Sequence, residues 1–262
     1  ADNRFTGIAA KRLYSAIAPP GKEEPSASAL RKMADLMAIA NGLSSKPGYS
    51  DLRRESGHWI DLENWEAAEA TLRTTSKAFA DTTEADERKG WHRNVQPDLA
   101  LVLLKQGKLP EALDVIRPLI PPVKTPEGEP DPEFRPTAAT VNTFCMAAVG
   151  WVEGEKVRDM VEVLGVGTPE DVALAADWRN NLANAKNKFT LEWYELKFET
   201  IFTWRRLGQD DTAKLDSAKS QISTMQQDVG NDFIGVFEDF EKAGLDGGPL
   251  QQKFQWLSRQ LN

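Results

Sequence analysis

The sequence predicts an all-α fold of stacked antiparallel helix pairs, and three observations carry that expectation. Apolar residues recur at the three-then-four spacing of a single helical face in one window after another, beginning with Leu30, Met33, Ala34, Met37 and Ala40. Capping residues and glycines bracket those windows as start and stop signals. No convincing period-two alternation lies between hairpin turns, so sheet has almost nothing to stand on.

Taken in order, Ser26 or Ser28 caps the helix that carries Leu30 to Ala40, and Gly42 ends it. Val141, Phe144, Cys145, Ala148 and Val152 form a helical face, as do Val157, Met160, Val161 and Leu164. Only Gly154 and its neighbours separate the two, which predicts a helical hairpin. Thr168-Pro169-Glu170-Asp171 is a helix start, with Thr168 as cap, Pro169 in the first turn and the acids at the positive end of the helix dipole. The helix after it is expected to run toward Lys186 with Leu174, Trp178, Leu182 and Ala185 inward. A further helix from about Thr190 carries Leu191, Tyr194, Phe198, Ile201 and Phe202. Three more carry Leu215, Ala218, Ile222 and Met225, then Phe233, Phe237 and Phe240, then Leu250, Phe254, Leu257 and Leu261. The last follows the break Gly244 to Pro249 and is expected to cap the array by docking on the face of Phe233, Phe237 and Phe240, because stacked helices leave an apolar face at each end.

Two stretches interrupt the helices. Pro19-Pro20-Gly21 through Pro25 is a short polar turn, and residues 121–137 hold six prolines among glycine and acids. The second stretch is either a packed excursion within one continuous array or a boundary between helical repeats in 1–120 and helical pairs with a cap in 138–262.

The segment from Leu99 to Leu119 resembles a tetratricopeptide repeat, a unit of two antiparallel helices. Leu99 and Leu103 face the partner helix, Ala100 and Ala112 are small where helices touch, Gly107 permits the turn, and Ile116 and Leu119 pack onto the next unit. Pro118 departs from the pattern and should end the second helix early. Upstream, Ser56, Trp59, Trp65, Ala68 and Leu72 fill the same positions, but Glu63 stands where the turn glycine belongs. The two turns lie 44 residues apart, so the region from Thr83 to Val95 must absorb about ten residues beyond a standard unit. Ile201, Trp204, Gly208 and Ala213 give a poorer third match. The resemblance implies a tetratricopeptide-like α-solenoid whose first helices line a groove. That groove would offer Arg53 and Asp61, then Leu101 and Lys105, then Arg205 and Arg206. Some members clamp a peptide carboxylate with a basic residue followed four residues later by Asn, but here Arg53 is followed by Gly57.

Chemistry is harder to find. The chain has 262 residues with a net charge of -8, which repels phosphate backbones and argues against nucleic acid as partner. No apolar run reaches the roughly eighteen residues of a membrane span. Cys145 is the single cysteine and reads as a small buried hydrophobe. His58 and His92 could meet with Asp61 at a metal, but helix-end histidines account for them more simply, and no cofactor is called for. Gly165 to Thr168 could aim amides at an anion, or serve as a turn between helices. Eight tryptophans are many for this length; most should stack between helices and a minority could line a groove. The expected function is a non-catalytic scaffold for a protein or peptide partner. The alternative is an all-helical carbohydrate-active domain that pairs Trp faces with two carboxylates in a cleft. The Ala1-Asp2 start suits a processed exported protein.

Overall fold

The computed structural model describes residues 3–17, 25–123, 135–209, 211–230, 233 and 235–261. The turn expected at 19–25 and the stretch at 121–137 therefore lie largely outside the described residues. The chain forms two compact units, Ala1–Leu119 and Ile120–Asn262.

The first unit consists of helices α1 (Asn3–Ile17), α2 (Ala27–Gly42), α3 (Tyr49–Asp61), α4 (Trp65–Phe79), α5 (Ala85–Gly90), α6 (Gln96–Lys105) and α7 (Leu109–Ile116). Packing joins α1 to α2, α3 to α4 and α6 to α7 as pairs, while α2 against α3 and α4 against α6 stack one pair on the next. The surplus residues between the two matched repeats form α5 and a π-turn, Trp91–Val95, that runs on into α6. The signature positions Ser56, Trp59, Ala68 and Leu72 are buried in one pair, with Trp65 half-buried, and Leu99, Ala100, Leu103, Ala112, Ile116 and Leu119 are buried in the other. Burial of these side chains is the main stabilising term. Alanine at the crossing points lets the helices approach. α7 stops at Ile116, and a 3-10 turn containing Pro118 follows it.

Both matched pairs reverse through the same turn. Glu63 N–H donates to Ile60 O at 2.9 Å and Asn64 N–H to Trp59 O at 2.9 Å; Gly107 N–H donates to Leu104 O at 2.9 Å and Lys108 N–H to Leu103 O at 2.9 Å. Each turn pivots on one residue in the left-handed region, Gly107 at φ 72° and Glu63 at φ 52°. Glycine occupies that region freely, whereas a side chain there is strained. Replacing Glu63 by Gly should therefore raise unfolding stability by up to about 1 kcal/mol, and replacing Gly107 by Ala should lower it by about 1 kcal/mol. Chemical denaturation of the two variants checks the pair, and a loss of stability in both would contradict it.

The second unit contains α8 (Ala138–Val149), a two-stranded antiparallel hairpin of β1 (Gly150–Glu153) and β2 (Val161–Leu164), then α9 (Pro169–Asn184), α10 (Leu191–Leu207), α11 (Thr212–Val229), α12 (Gly235–Lys242) and α13 (Gly248–Leu261). The hairpin corrects the sequence reading, which placed Val152 on a helix and gave Val157 to Leu164 a second one. Gly150 at φ 98° and Gly154 at φ 116° turn the chain out of helical geometry, and the intervening β-branched residues suit an extended pair. Trp151 pairs with Val163 and Val152 with Glu162 across the strands.

The Thr168 start is a full capping box with Asp171. The inward face of α9 is rotated from the expected one. Val172, Ala175, Ala176, Trp178, Arg179 and Ala183 are buried, Leu174 and Leu182 are half-buried, and Ala185 is exposed beyond the helix end. The final helix docks on Phe233 and Phe237 as expected, while the Phe240 ring lies 6.0 Å from that of Tyr194 instead. The Phe254 ring lies 5.4 Å from Phe233, 5.9 Å from Phe237 and 5.5 Å from Phe198, centroid to centroid. Trp256 lies 6.3 Å from Phe202. Phe254 is fully buried at the centre of this aromatic cluster. Phe254→Ala should cost about 3–5 kcal/mol, readable as a lowered urea midpoint.

Candidate functional site

In the first unit α1, α3 and α6 each open a helix pair, and their own side chains bridge them. The Lys11 ammonium pairs with Asp51. Tyr14 Oη and His58 Nε2 share a hydrogen bond of 3.0 Å, and the Arg54 guanidinium sits 5.4 Å from the Tyr14 ring centroid. Arg53 Nη1 lies 2.7 Å from Asp98 Oδ2. Burial pushes the Tyr14 phenol up and the His58 imidazolium down, so both groups stay neutral near pH 7. Burial also raises the Asp98 carboxyl, against the pull of Arg53.

A second network lies between α4 and the pair that follows it. Glu69 accepts from Arg73 Nε at 2.7 Å, Lys108 Nζ at 2.7 Å and Gln106 Nε2 at 2.9 Å, while Arg73 Nη2 also reaches Glu111 at 2.6 Å. Burial alone would push the Glu69 carboxyl up, but the bonds from Lys108, Arg73 and Gln106 outweigh it and hold the group at about 2.

Of the residues singled out in the sequence, Arg53 is committed to Asp98. Asp61 and Lys105 are exposed, and each stands two residues before the left-handed pivot of its turn. Leu101 is half-buried. In the second unit, Arg205 Nη1 donates to both Glu162 oxygens of β2 at 3.0 Å, and its guanidinium lies 5.5 Å from the Trp256 ring. Arg206 Nη1 donates to Gln209 Oε1 at 2.6 Å. Tyr14 and Arg54 were not singled out; their only signal is that they recur on the helix faces that also carry Lys11 and His58.

Among the described residues no group of three or more His, Cys, Asp or Glu side chains is placed to hold a metal ion. His58 is engaged with Tyr14, and the His92 ring lies 6.5 Å from Trp91. The amides of Gly165, Val166 and Gly167 donate to the carbonyls of Val149, Ala147 and Ala148, so none points at an anion. A Cβ on Gly165 or Gly167 would strike Ala148, which makes this segment a tight strap from strand to helix. Trp59, Trp178 and Trp256 are buried and the other five tryptophans half-buried. Several indole N–H groups are satisfied internally, as by Trp178 to Pro121 O at 2.7 Å and Trp91 to Ser76 O at 3.1 Å. Burial pushes the Cys145 thiol up to about 11, as an inert core cysteine requires.

No helix among the described residues is long and apolar enough to cross a membrane. No family model matches the chain, and no curated protein does. Two solved structures are similar, both of nearly identical TPR-like repeats from Podosopora anserina that are named for a kinesin light chain. One, a single-substitution variant, is 14% identical, with coverage of 86% of this chain and 96% of its own at a TM-score of 0.43. The other is 12% identical, with 85% and 96% covered, again at 0.43. The α3–α4 and α6–α7 pairs are tetratricopeptide-like in their own right, through the repeated turn and the buried signature positions.

The Glu69 network has a pH signature. A carboxyl held at about 2 against an ordinary 4.5 contributes stability that is fully present above pH 4.5 and is lost as the pH falls toward 2. Urea unfolding followed from pH 5 to about 2 should show a smaller loss in Glu69→Gln than in the unaltered chain, because the variant lacks the proton uptake. Equal slopes would show that the network does not act on stability.

Proposed function

We propose that the chain is a non-catalytic scaffold that holds a protein or peptide partner on the face formed by the first helices of its pairs. One observation carries this: successive first helices in the first unit are tied side to side by Lys11–Asp51, Tyr14–His58 and Arg53–Asp98. A face built this way presents one continuous, pre-ordered surface, so a partner does not bear the cost of ordering it. Exposed charge of both signs stands at its turn end, with Asp61 and Lys105 at equivalent places in adjacent repeats. Such charges steer encounter and set the orientation of a partner more than they add affinity. Leu101, half-buried one turn before Lys105, supplies apolar contact beside them.

Arg205 and Arg206 serve this role less directly. Arg205 is bonded twice to Glu162, so reversing its charge would set two acids against each other and disturb the hairpin. Lys105 is the cleaner test. Lys105→Glu should leave the thermal unfolding of the chain unchanged while weakening capture of its partner and slowing association, most visibly at low salt. A partner retained equally by the variant would remove Lys105 from the surface, and failure of the unaltered chain to retain any protein or peptide would remove the scaffold role itself.

A further inference from the structure

The second unit holds a cavity of about 600 Å³ between α8, α9, α10 and the start of α13, within the size range that takes small organic ligands. Val141, Leu182, Leu196 and Leu250 give it apolar walls. Its charged groups fall into two sets. Arg179 Nη2 lies 2.6 Å from Glu199 Oε2, and Lys186 Nζ lies 2.6 Å from Glu192 Oε1. The third cation of the wall, Lys253, rests its ammonium 5.9 Å from the Phe198 ring centroid. Arg179 and Lys186 are thus held in ion pairs, while Lys253 is the one wall cation outside an ion pair among the described residues. Glu195 and Asp246 also line the cavity, and among the described residues neither has an ion-pair partner.

Outside those two pairs the wall sets two carboxylates, Glu195 and Asp246, against the single ammonium of Lys253, a net negative charge beside apolar walls. Glu192, Glu195 and Glu199 recur at three-and-four spacing, so one edge of α10 brings three carboxylates to the cavity wall. Glu195 is exposed at the edge of the cavity, where partial burial raises its carboxyl, Glu192 and Glu199 raise it further, and Lys253 opposes them in part. A ligand bearing an ammonium group relieves that repulsion, whereas a carboxylate ligand would meet Glu195 and Asp246 with only Lys253 to receive it.

We infer that this cavity is a binding site for a primary ammonium carried on an apolar body, with Glu195 receiving the ammonium and Leu182, Leu196 and Leu250 the apolar part. The inference is independent of the partner face on the first unit. The same chemistry is offered by a free alkylamine and by a partner's lysine side chain, and the probes separate these sources.

Isothermal titration of the full chain at pH 7 with hexylamine, hexanol and hexanoate tests it, with Nα-acetyl-lysine-N-methylamide as a fourth probe. Hexylamine or the capped lysine should bind about tenfold or more tightly than hexanol, the weight of one charge-assisted hydrogen bond, and hexanoate should bind most weakly. The tighter of the two amines assigns the source. Glu195→Gln should remove that margin, and Leu182→Trp should fill the cavity and abolish binding, each with unfolding curves recorded to show an intact fold. Hexanol matching both amines, hexanoate exceeding them, no heat with any probe, or amine affinity unchanged in Glu195→Gln would overturn the assignment.

Discussion

The turn that folds each helix back on its predecessor is the constraint from which the rest of the first unit follows. In a helix pair the last carbonyls of one helix must find donors while the chain reverses within two or three residues. Here a residue in the left-handed region does both, directing its own N–H three residues back and the next N–H five back. Because Glu63 and Gly107 make this turn with the same hydrogen bonds, the two pairs have one geometry and can stack through equivalent residues. The turn recurs at Gly244, at φ 79°, where Gly244 N–H donates to Glu241 O at 2.9 Å and Leu245 N–H to Phe240 O at 2.8 Å. That third use sets the course of the chain into α13. The repeat resemblance puts the third turn at Gly208 instead, which has a right-handed backbone and is required because a Cβ there would strike Leu215.

The legible parts of the fold are those in which the signal is local. A cap, a three-then-four face and a small residue at a crossing need only one helix and its neighbour, so Ser26, Thr168, Ala100 and Ala112 can be read directly. The hairpin is not legible because the apolar residues at 157, 160, 161 and 164 satisfy a helical period, although only Val161 and Leu164 lie in β2. What decides against the helix is the positive φ of Gly150 and Gly154, together with the carbonyls of α8 that receive the Gly165 to Gly167 amides. Those are tertiary facts. The face of α9 escapes the sequence for a related reason. Arg179 is 2% exposed, and its Nη1 donates to Glu199 O at 3.1 Å and Thr203 Oγ1 at 2.6 Å. A charged residue inside the core rotates the helix away from the face that hydrophobicity alone selects.

The candidate surfaces show a second limit of the sequence. Composition gives the number of charges but not which of them are already engaged. Arg53 and Arg205 look like free cations in a groove until Asp98 and Glu162 are seen beside them. Conversely, Glu195 looks like any acid on a helix surface until Glu192, Glu199 and the cavity are placed around it. Three-and-four spacing of the three glutamates is readable, whereas the engagement of the neighbouring cations is not.

The same distinction explains what holds the repeat pairs in register. Glu55 is 7% exposed with no cation bonded to it among the described residues, yet it accepts from Asn41 Nδ2 at 2.7 Å, Thr71 Oγ1 at 2.8 Å and Trp59 Nε1 at 3.5 Å. One carboxylate thereby ties α2, α3 and α4 through directional bonds. Apolar packing tolerates small slips between helices, but a buried carboxylate that loses its donors bears the full cost of desolvation. The network therefore penalises any shift of one pair against the next, and it does so from inside the core. On the outer surfaces the Arg53–Asp98 and Glu69 bridges join neighbouring repeats where they are partly exposed and weaker. With register fixed by the core, charges at the turn end such as Asp61 and Lys105 are not needed to hold the fold, and it is there that substitution can alter what the face binds without altering the face.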